Sequence, residues 1–204
     1  MSLVLKNILK VDESLQNLVR EWRNSDEIRR YMCNENIISE KQHSEWIKSL
    51  KNSDRKEVYI VFYDESPIGV VSIDDIDFNN KKCEWGFYIY ETSLRGRGIG
   101  QRFLVSVIDY VFNELGMEKL NGNVLEVNPN VIEMHKKLGF QMEGIRRKNI
   151  LKNGKRIDVY NLGMLKEEWL SRRLEINIQN EDLAILNYFE LSLFSNFRIK
   201  LVGF

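Results

Sequence analysis

The sequence predicts one α/β (α+β) domain in which helices flank a mixed, mostly antiparallel sheet of about seven strands. Three observations predict this class. Seven short runs are rich in β-branched and aromatic residues. Two pairs of these runs are joined by the turn sequences Asp64-Glu65-Ser66-Pro67 and Asn153-Gly154, which are hairpin signals. Between the pairs lies a long helical pattern that starts in a glycine-rich stretch, Arg95 to Gly100, directly after a strand-like run.

The first half of the chain predicts a strand, two helices and three antiparallel strands. A strand over Val4–Val11 precedes a helix that Asp12 or Ser14 can cap. Ser39 and Gln42 have capping-box spacing at the start of the second helix. Three β-rich runs follow, and they cover Val58–Tyr63, Ile68–Ile76 and Lys82–Tyr90.

The central helix is the best specified element of the chain. Its apolar residues recur every three or four positions, which indicates one buried face; they are Ile99, Phe103, Leu104, Val107, Ile108, Val111, Phe112 and Leu115. Gly116 is a natural C-cap. Because only one face is buried, the N-terminus of this helix stays available to a ligand.

The glycines before this helix predict an anion site. The first N–H groups of a helix have no internal partner and lie at the positive end of its dipole, where a phosphate is stabilised. Gly96, Gly98 and Gly100 allow the phosphate to approach the backbone, and Arg95 and Arg97 add positive charge. The glycine spacing fits neither a dinucleotide fingerprint nor a P-loop.

The second half predicts a strand, a short helix, a hairpin and a final helical segment. Their ranges are Leu120–Val127, Asn128–Leu138, Phe140–Leu151 with Arg156–Leu165, and Lys166–Arg173. From Leu174 the chain is rich in large apolar residues, which must be buried. We therefore expect a domain over 1–170 and an apolar appendage over 171–204 that packs on the domain or, as we favour, between the subunits of a homodimer.

Composition excludes several classes of protein. Lys+Arg and Asp+Glu both number 30, so no basic surface for nucleic acid is indicated. Cys33 and Cys83 are isolated, and the two histidines are His43 and His135, so neither a metal site nor a disulfide framework is expected. No apolar run reaches the length of a membrane span and no signal peptide is evident. These features predict a cytoplasmic protein without membrane contact.

Two motifs together carry a family resemblance. The pattern R-x-x-G-x-G over Arg95, Gly98 and Gly100 resembles the pyrophosphate loop of the GNAT superfamily of acetyl-CoA-dependent N-acetyltransferases. Asn128, then His135 seven positions later, and then Gly139-Phe140 resemble the family's second block. The resemblance covers about Val4 to Trp169. It implies the GNAT fold, acetyl-CoA as cosubstrate and acetyl transfer to a primary amine.

The resemblance also implies cofactor-binding residues. Two strands would splay apart at Phe87–Tyr90 and Leu125–Val127, with the pantetheine arm between them. Peptide groups of Ile89 and Tyr90 would then hold and polarise the thioester, and Asn128 would follow the second strand. The pyrophosphate would lie at the loop and first helical turn, which comprise Arg95, Gly96, Arg97, Gly98, Ile99, Gly100, Gln101 and Arg102.

Catalysis needs a proton taken from the amine and one supplied to the leaving thiolate. His135 occupies the position of the family's proton donor, usually Tyr, and its alternative interpretation is a partly buried structural histidine. The family's frequent base, a Glu five residues before the Asn, is Asn123 here. Glu84 and Glu126 remain as candidate bases, and we favour Glu84; an acceptor amine of low pKa would need none.

The acceptor is indicated by the front half of the chain. Its polar, aromatic and arginine-rich candidates for substrate binding are Trp22, Arg23, Asn24, Arg30, Met32 and His43. They resemble two subfamilies, the aminosugar-nucleotide acetyltransferases of the pseudaminic-acid pathway and the N-terminal acetyltransferases of ribosomal proteins. We favour a 4-amino sugar nucleotide, whose phosphates Arg23 and Arg30 would bind. A peptide N-terminus is the alternative acceptor, and a non-catalytic acetyl-CoA-binding module is the alternative class.

Overall fold

A computed structural model describes residues 3–94 and 99–176 of the chain. Within this part, seven strands form one sheet in the order β1-β2-β3-β4-β5-β7-β6. All neighbours are antiparallel except β4 and β5, which are parallel. The predicted mixed sheet is thus confirmed. The strands are β1 Leu3–Asn7, β2 Glu57–Tyr63, β3 Ser66–Asp77, β4 Lys82–Ile89, β5 Lys119–Leu125, β6 Gln141–Lys152 and β7 Lys155–Leu165.

The described part of the chain contains six α-helices. They are α1 Glu13–Asn24, α2 Asp26–Arg29, α3 Glu40–Leu50, α4 Ile99–Asp109, α5 Pro129–Leu138 and α6 Lys166–Glu175. Helices α1 and α3 begin at the caps that the sequence predicts. The Asp12 side chain accepts from the Leu15 N–H at 2.9 Å, and Ser39 with Gln42 forms the predicted capping box. A π-helical turn over Tyr110–Glu114 extends α4, and Gly116 follows with φ of 73°.

Helices cover the two faces of the sheet unequally. On one face, α4 packs with residues of α5 and α6 against β3, β4 and β5 in the larger core. On the other face, α1 and α3 cover the β2 and β3 side, where Ile60, Val70 and Trp22 are buried. Side chains alternate along β4, so Trp85 and Phe87 join the α4 core while Tyr88 joins the α1 side. Residues 84, 86 and 88 therefore share the α1 face.

The β6–β7 hairpin turns as the sequence predicts. Asn153 and Gly154 have φ of 49° and 74°, and two consecutive positive φ values match a type I′ turn. Lys152 and Lys155 pair across this turn. The hairpin projects its tip toward α2, where Lys152 contacts backbone carbonyls.

Two predicted strands end two or more residues earlier than expected. β1 ends at Asn7, because the Asn7 side chain accepts from the Leu9 N–H at 2.9 Å and starts a 3-10 turn. β5 ends at Leu125, whose carbonyl accepts from the Asn128 N–H at 2.9 Å and closes a turn over residues 126 and 127.

The last helix of the described part is anchored to the core. Buried Asp109 of α4 accepts from Trp169 Nε1 at 2.8 Å and from Arg173 Nε at 3.0 Å. The predicted boundary at residue 170 therefore lies inside α6, between two residues that bind the same carboxylate. Residues 177–204, which hold most of the predicted appendage, lie outside the described residues.

Candidate active site

A gap opens between the two parallel strands at the middle of the sheet. β4 and β5 pair from Lys82 opposite Lys119 to Trp85 opposite Gly122. Beyond that point, β4 continues to Ile89 against β3, and β5 continues to Leu125 against β7. The parallel pair thus separates while each strand keeps its outer neighbour, so peptide groups line a cleft between them.

The start of α4 lies at the mouth of this cleft. A Cβ added to Gly100 would be 3.4 Å from Ile89 Cδ1, so the first turn of the helix packs on the end of β4. Ile99, Gly100, Gln101 and Arg102 form that first turn. Arg95, Gly96, Arg97 and Gly98 lie outside the described residues, and their predicted contact with pyrophosphate stays a prediction.

Of the two peptide groups predicted to polarise the thioester, one faces the cleft. The Tyr90 N–H donates to the Ile68 carbonyl of β3 at 2.8 Å. Because successive peptide groups of a strand point to opposite sides, the Ile89 N–H points away from β3 toward the cleft. Because the Tyr90 N–H is already bonded to β3, the Ile89 N–H is the one of the two predicted donors that can reach a thioester in the cleft.

His135 fills the base of the cleft on the α4 face. It is 2% exposed, and its ring lies 4.8 to 6.0 Å from the rings of Trp85, Phe87 and Phe140. A Cβ on Gly122 would come within 2.8 Å of His135 Nε2. A side chain at position 122 would therefore collide with the imidazole, and only glycine fits there without movement.

The partners of His135 fix its protonation. Nδ1 lies 2.7 Å from the Val131 carbonyl, which can only accept, so Nδ1 carries the proton. Trp85 Nε1 donates to Nε2 at 3.2 Å, so Nε2 is bare. Burial lowers the pKa of His135, although the hydrogen bond to Val131 opposes this. The ring is neutral, and donation from Nε2 would require a protonated ring that burial disfavours.

The end of α5 holds His135 in this position. Gly139 has φ of 106°, its N–H donates to Lys136 O, and the Phe140 N–H donates to His135 O at 3.0 Å. This is a Schellman arrangement, and Phe140 also packs on the imidazole. Asn128 is the N-cap residue of α5 and makes no side-chain cap bond. Its predicted contact with the cofactor stays a prediction.

Glu84 lies on the opposite face of the sheet from His135. Asn123 Nδ2 donates to Glu84 Oε2 at 2.7 Å, and Arg146 Nη2 donates to Asn123 Oδ1 at 2.6 Å. Arg146 Nε donates in turn to Asn161 Oδ1 at 3.0 Å. A polar row thus crosses four strands on the α1 face. The sequence identified Glu84, but it gave no signal for Arg146 or Asn161, because their proximity depends on strand order.

The end of α1 supports the loop that follows α2. Trp22 is buried and stacks on Tyr90 with ring centroids 5.3 Å apart. Arg23 Nη2 donates to the Asn34 carbonyl at 2.5 Å. The Asn24 amide donates to the Ile38 carbonyl at 2.9 Å and accepts from the Ile38 N–H at 2.8 Å. Trp22 and Asn24 thus make contacts within the protein, and the acceptor contacts predicted for them stay predictions.

His43 also lies apart from the other acceptor candidates. It is 5% exposed, its ring tilts against Trp46 of α3, and its buried Nε2 has no hydrogen-bond partner within the described residues. Burial lowers its pKa. The acceptor contact predicted for His43 stays a prediction.

A cavity of about 770 Å³ opens between α2 with its following loop and the β6–β7 turn. Arg30 lines it, as does Arg29, whose side chain pairs with Asp26. Lys152 is almost fully buried at its wall, where Nζ lies 2.8 Å from both Glu35 Oε1 and the Met32 carbonyl. The complete lining is Asp26, Arg29, Arg30, Cys33, Asn34, Glu35, Asn36, Leu151, Lys152 and Asn153. The sequence missed Arg29 and Lys152, which only the folded hairpin brings together.

The described residues contain neither a metal-binding cluster nor a membrane-spanning helix. Over residues 3–94 and 99–176, no three His, Cys, Asp or Glu side chains converge as a metal site would require. In the same part of the chain, no helix has the length and apolar character of a membrane span.

Comparison with known proteins agrees with this geometry. A family model described as an acetyltransferase (GNAT) domain matches residues 13–160. Acetyltransferase PseH of Campylobacter jejuni (strain 81-176) is 29% identical over 136 residues, which make up 67% of this chain and 83% of that protein. YdaF of Bacillus subtilis, named as a ribosomal N-acetyltransferase, is 29% identical over 109 residues, or 53% of this chain and 59% of that protein.

A solved structure shows the same fold. The crystal structure of spermidine N-acetyltransferase from Vibrio cholerae in complex with CoA and spermine has a TM-score of 0.75 and 21% identity, covering 82% of this chain and 98% of that one. The predicted resemblance is confirmed, and the family match favours an enzyme over the non-catalytic module. The chain belongs to the GNAT acetyltransferase family and is an N-acetyltransferase that uses acetyl-CoA.

Proposed function

We propose that the enzyme acetylates the primary amine of a 4-amino sugar nucleotide. The observation that carries this proposal is the polar cavity between α2 and the β6–β7 turn. Its volume lies within the range typical of small-ligand sites, about 300 to 1,000 Å³. The similarity to acetyltransferase PseH supports the same acceptor, because it agrees with the resemblance to aminosugar-nucleotide acetyltransferases.

The charges of the cavity favour an anionic acceptor. Its lining includes the cations Arg29, Arg30 and Lys152, against the carboxylates Asp26 and Glu35. Each carboxylate is already paired, with Arg29 and Lys152 respectively. Arg30 lies over the Tyr31 ring at 5.0 Å and is the cation that remains for a phosphate. Arg23 donates through Nη2 to the Asn34 carbonyl in the cavity wall, so of the predicted pair Arg23 and Arg30 we propose Arg30 as the residue that binds the phosphates.

In the proposed reaction, the acceptor amine attacks the thioester carbonyl in the cleft between β4 and β5. A C–N bond forms, the C–S bond breaks, and CoA leaves as a thiolate that takes a proton from solvent. Glu84 accepts the proton lost by the amine, because its carboxylate lies beside the cleft on the α1 face. The Ile89 N–H stabilises charge on the carbonyl oxygen. His135 stays neutral on the other face.

Two other acceptors compete with this proposal. A peptide N-terminus is favoured by the similarity to YdaF, and spermidine by the fold shared with the Vibrio cholerae enzyme. Both carry ammonium groups that require unpaired acidic partners. The cavity carboxylates are already paired with cations, which makes such acceptors less suitable here.

An acceptor panel tests the proposal. CoA release is measured with a nucleoside-diphosphate 4-amino sugar, a peptide beginning with Ser, and spermidine. We expect kcat/KM for the sugar nucleotide to exceed the others at least tenfold, about 1.4 kcal/mol of discrimination. Higher turnover of the peptide or of spermidine would contradict the proposal and identify the competing acceptor.

Arg30→Gln and a control variant test where the phosphates of the sugar nucleotide bind. Arg30→Gln should raise KM for the sugar nucleotide about tenfold, because a hydrogen bond to a charged group contributes about 1.5 to 3 kcal/mol. The affinity for acetyl-CoA should not change. Arg55→Gln is the matched control, since Arg55 is an exposed arginine that pairs with Asp75 and does not line the cavity.

The proposal also covers the localisation and the oligomeric state of the enzyme. We propose a cytoplasmic homodimer, on the basis of the isolated thiols Cys33 and Cys83 and of the apolar sequence after Leu174.

A further inference from the structure

We propose that Asn123 and Arg146 are positioning residues that hold the Glu84 carboxylate in place for proton transfer. The inference rests on the proposed role of Glu84 as the base. It concerns the row of side chains on the α1 face that joins β4, β5, β6 and β7. Neither Asn123 nor Arg146 is needed to build the core, because both are exposed.

The direction of each hydrogen bond in this row follows from chemistry. A guanidinium has donors alone, so the Asn123 side chain must turn its oxygen toward Arg146. Its amide nitrogen must then face Glu84, to which it donates at 2.7 Å. Arg146 thus determines that Glu84 meets a donor and not a second acceptor. A carboxylate that accepts a hydrogen bond is the form a general base requires.

Arg146 is held by two bonds at once. Its Nε donates to Asn161 of β7 and its Nη2 donates to Asn123 of β5. The planar fork of arginine permits this arrangement between two strands, whereas lysine presents a single ammonium on a flexible stem. The geometry therefore distinguishes arginine from lysine at position 146.

A second carboxylate, on the neighbouring strand β3, explains why Glu84 needs the hydrogen bond from Asn123. Asp74 of β3 pairs directly with Glu84 in the sheet register, and side chains of such pairs share a face. Like charges in this arrangement repel each other. Lys56 Nζ forms an ion pair with Asp74 Oδ1 at 2.5 Å, and Ser72 Oγ donates to Asp74 Oδ2 at 2.6 Å. Lys56 therefore balances one carboxylate and Arg146, through Asn123, orients the other.

The result is a carboxylate with one oxygen engaged. Among the described residues, Asn123 donates to Oε2 of Glu84 and no group donates to Oε1, so Oε1 can receive the proton of the attacking amine. The bond also restricts rotation of the carboxylate, so Oε1 keeps a constant position relative to the cleft. Loss of the row would reduce the rate of transfer without removing the base itself.

A double-mutant cycle tests the proposal. Glu84→Gln, Arg146→Gln and the double variant are assayed with the 4-amino sugar nucleotide, or with the panel amine that the wild type turns over best. We expect Arg146→Gln to lower kcat about tenfold and to leave the acetyl-CoA affinity unchanged. In the Glu84→Gln background, Arg146→Gln should lower kcat no further, because the effects of substituting residues that act as a unit are not additive. Lys119→Gln is the matched control, since Lys119 pairs with Glu143 between the same β5 and β6 strands.

The pH profile of kcat/KM provides a second test, because it would not change if Asn123 and Arg146 had only a structural role. Asn123→Asp places a second carboxylate beside Glu84, in addition to Asp74, and should shift the acidic limb of kcat/KM to higher pH. Arg146→Lys should recover less than half of the lost activity. Additive losses in the cycle, or an unshifted acidic limb, would overturn the proposal. A wild-type kcat for Glu84→Gln itself would instead refute the base role on which the proposal rests.

Discussion

His135 shows how a single residue can share its family's position and have different surroundings. The sequence places it where the family's proton donor stands. In the structure the imidazole is enclosed by three aromatic rings, and its two nitrogens are engaged with Val131 and Trp85. The position of His135 relative to Asn128 could be predicted from the sequence. The protonation state of its ring could not, because it depends on Trp85, a strand residue fifty positions away.

A stability measurement tests the neutral state of His135. His135→Phe should reduce the free energy of unfolding by about 1 to 3 kcal/mol, because the Trp85 N–H loses its acceptor. Burial lowers the folded pKa of His135, so its stabilising contribution is present above the unfolded pKa of about 6.5 and is lost as pH falls. Urea unfolding at pH 7.5 and 5.5 should therefore show a smaller difference between wild type and variant at the lower pH. A difference that grows at pH 5.5 would mean that the folded ring is charged.

At the scale of elements, the sheet separates two tasks. The cleft between β4 and β5 opens where Gly122 admits His135, and the start of α4 meets the end of β4 at Gly100. His135 and α4 then lie on one face of β4, and Glu84 lies on the other. The turn and cap residues predicted these elements well, because caps and hairpins are encoded locally. The polar row to Arg146 is not local, since β7 inserts between β5 and β6.

Substitutions at Gly100 test the anion site of α4. Gly100→Asp adds negative charge to the first turn, which stabilises a helix but repels a pyrophosphate. We expect acetyl-CoA affinity measured by calorimetry to fall at least tenfold, about 1.4 kcal/mol. Gly100→Ala is the control, because it adds the same Cβ at 3.4 Å from Ile89 without the charge. Equal affinities for the Asp and Ala variants would show that no pyrophosphate binds at this turn.

At the scale of the whole molecule, the acceptor is less predictable than the fold. The residue types of Trp22, Asn24 and His43 predict acceptor contacts, while the structure shows the contacts that each makes within the protein. Polar and aromatic residues near a helix end serve structure and binding equally, and a sequence pattern does not distinguish them. The cavity instead depends on the β6–β7 turn reaching α2, which is a contact over 120 positions.

Truncation tests the predicted appendage. The truncation is placed after Ile176, because Arg173 binds Asp109 and Ile176 packs on the core. A chain ending at Ile176 should fold, as its described core is complete, and should become monomeric by light scattering if the apolar residues 177–204 form the dimer interface. A truncated chain with the same oligomeric state as the full chain would show that the interface lies elsewhere.

The central claim is that the amine proton is handled by Glu84 on the α1 face while His135 remains neutral on the other. The most direct test compares kcat/KM of Glu84→Gln and His135→Gln from pH 5 to 9, with acetyl-CoA affinity measured alongside. We predict that Glu84→Gln loses about 100-fold or more in kcat/KM together with the acidic limb, whereas His135→Gln keeps the shape of the wild-type profile. A Glu84→Gln enzyme with wild-type kcat/KM, beside a His135→Gln enzyme that has lost the basic limb, would contradict the account.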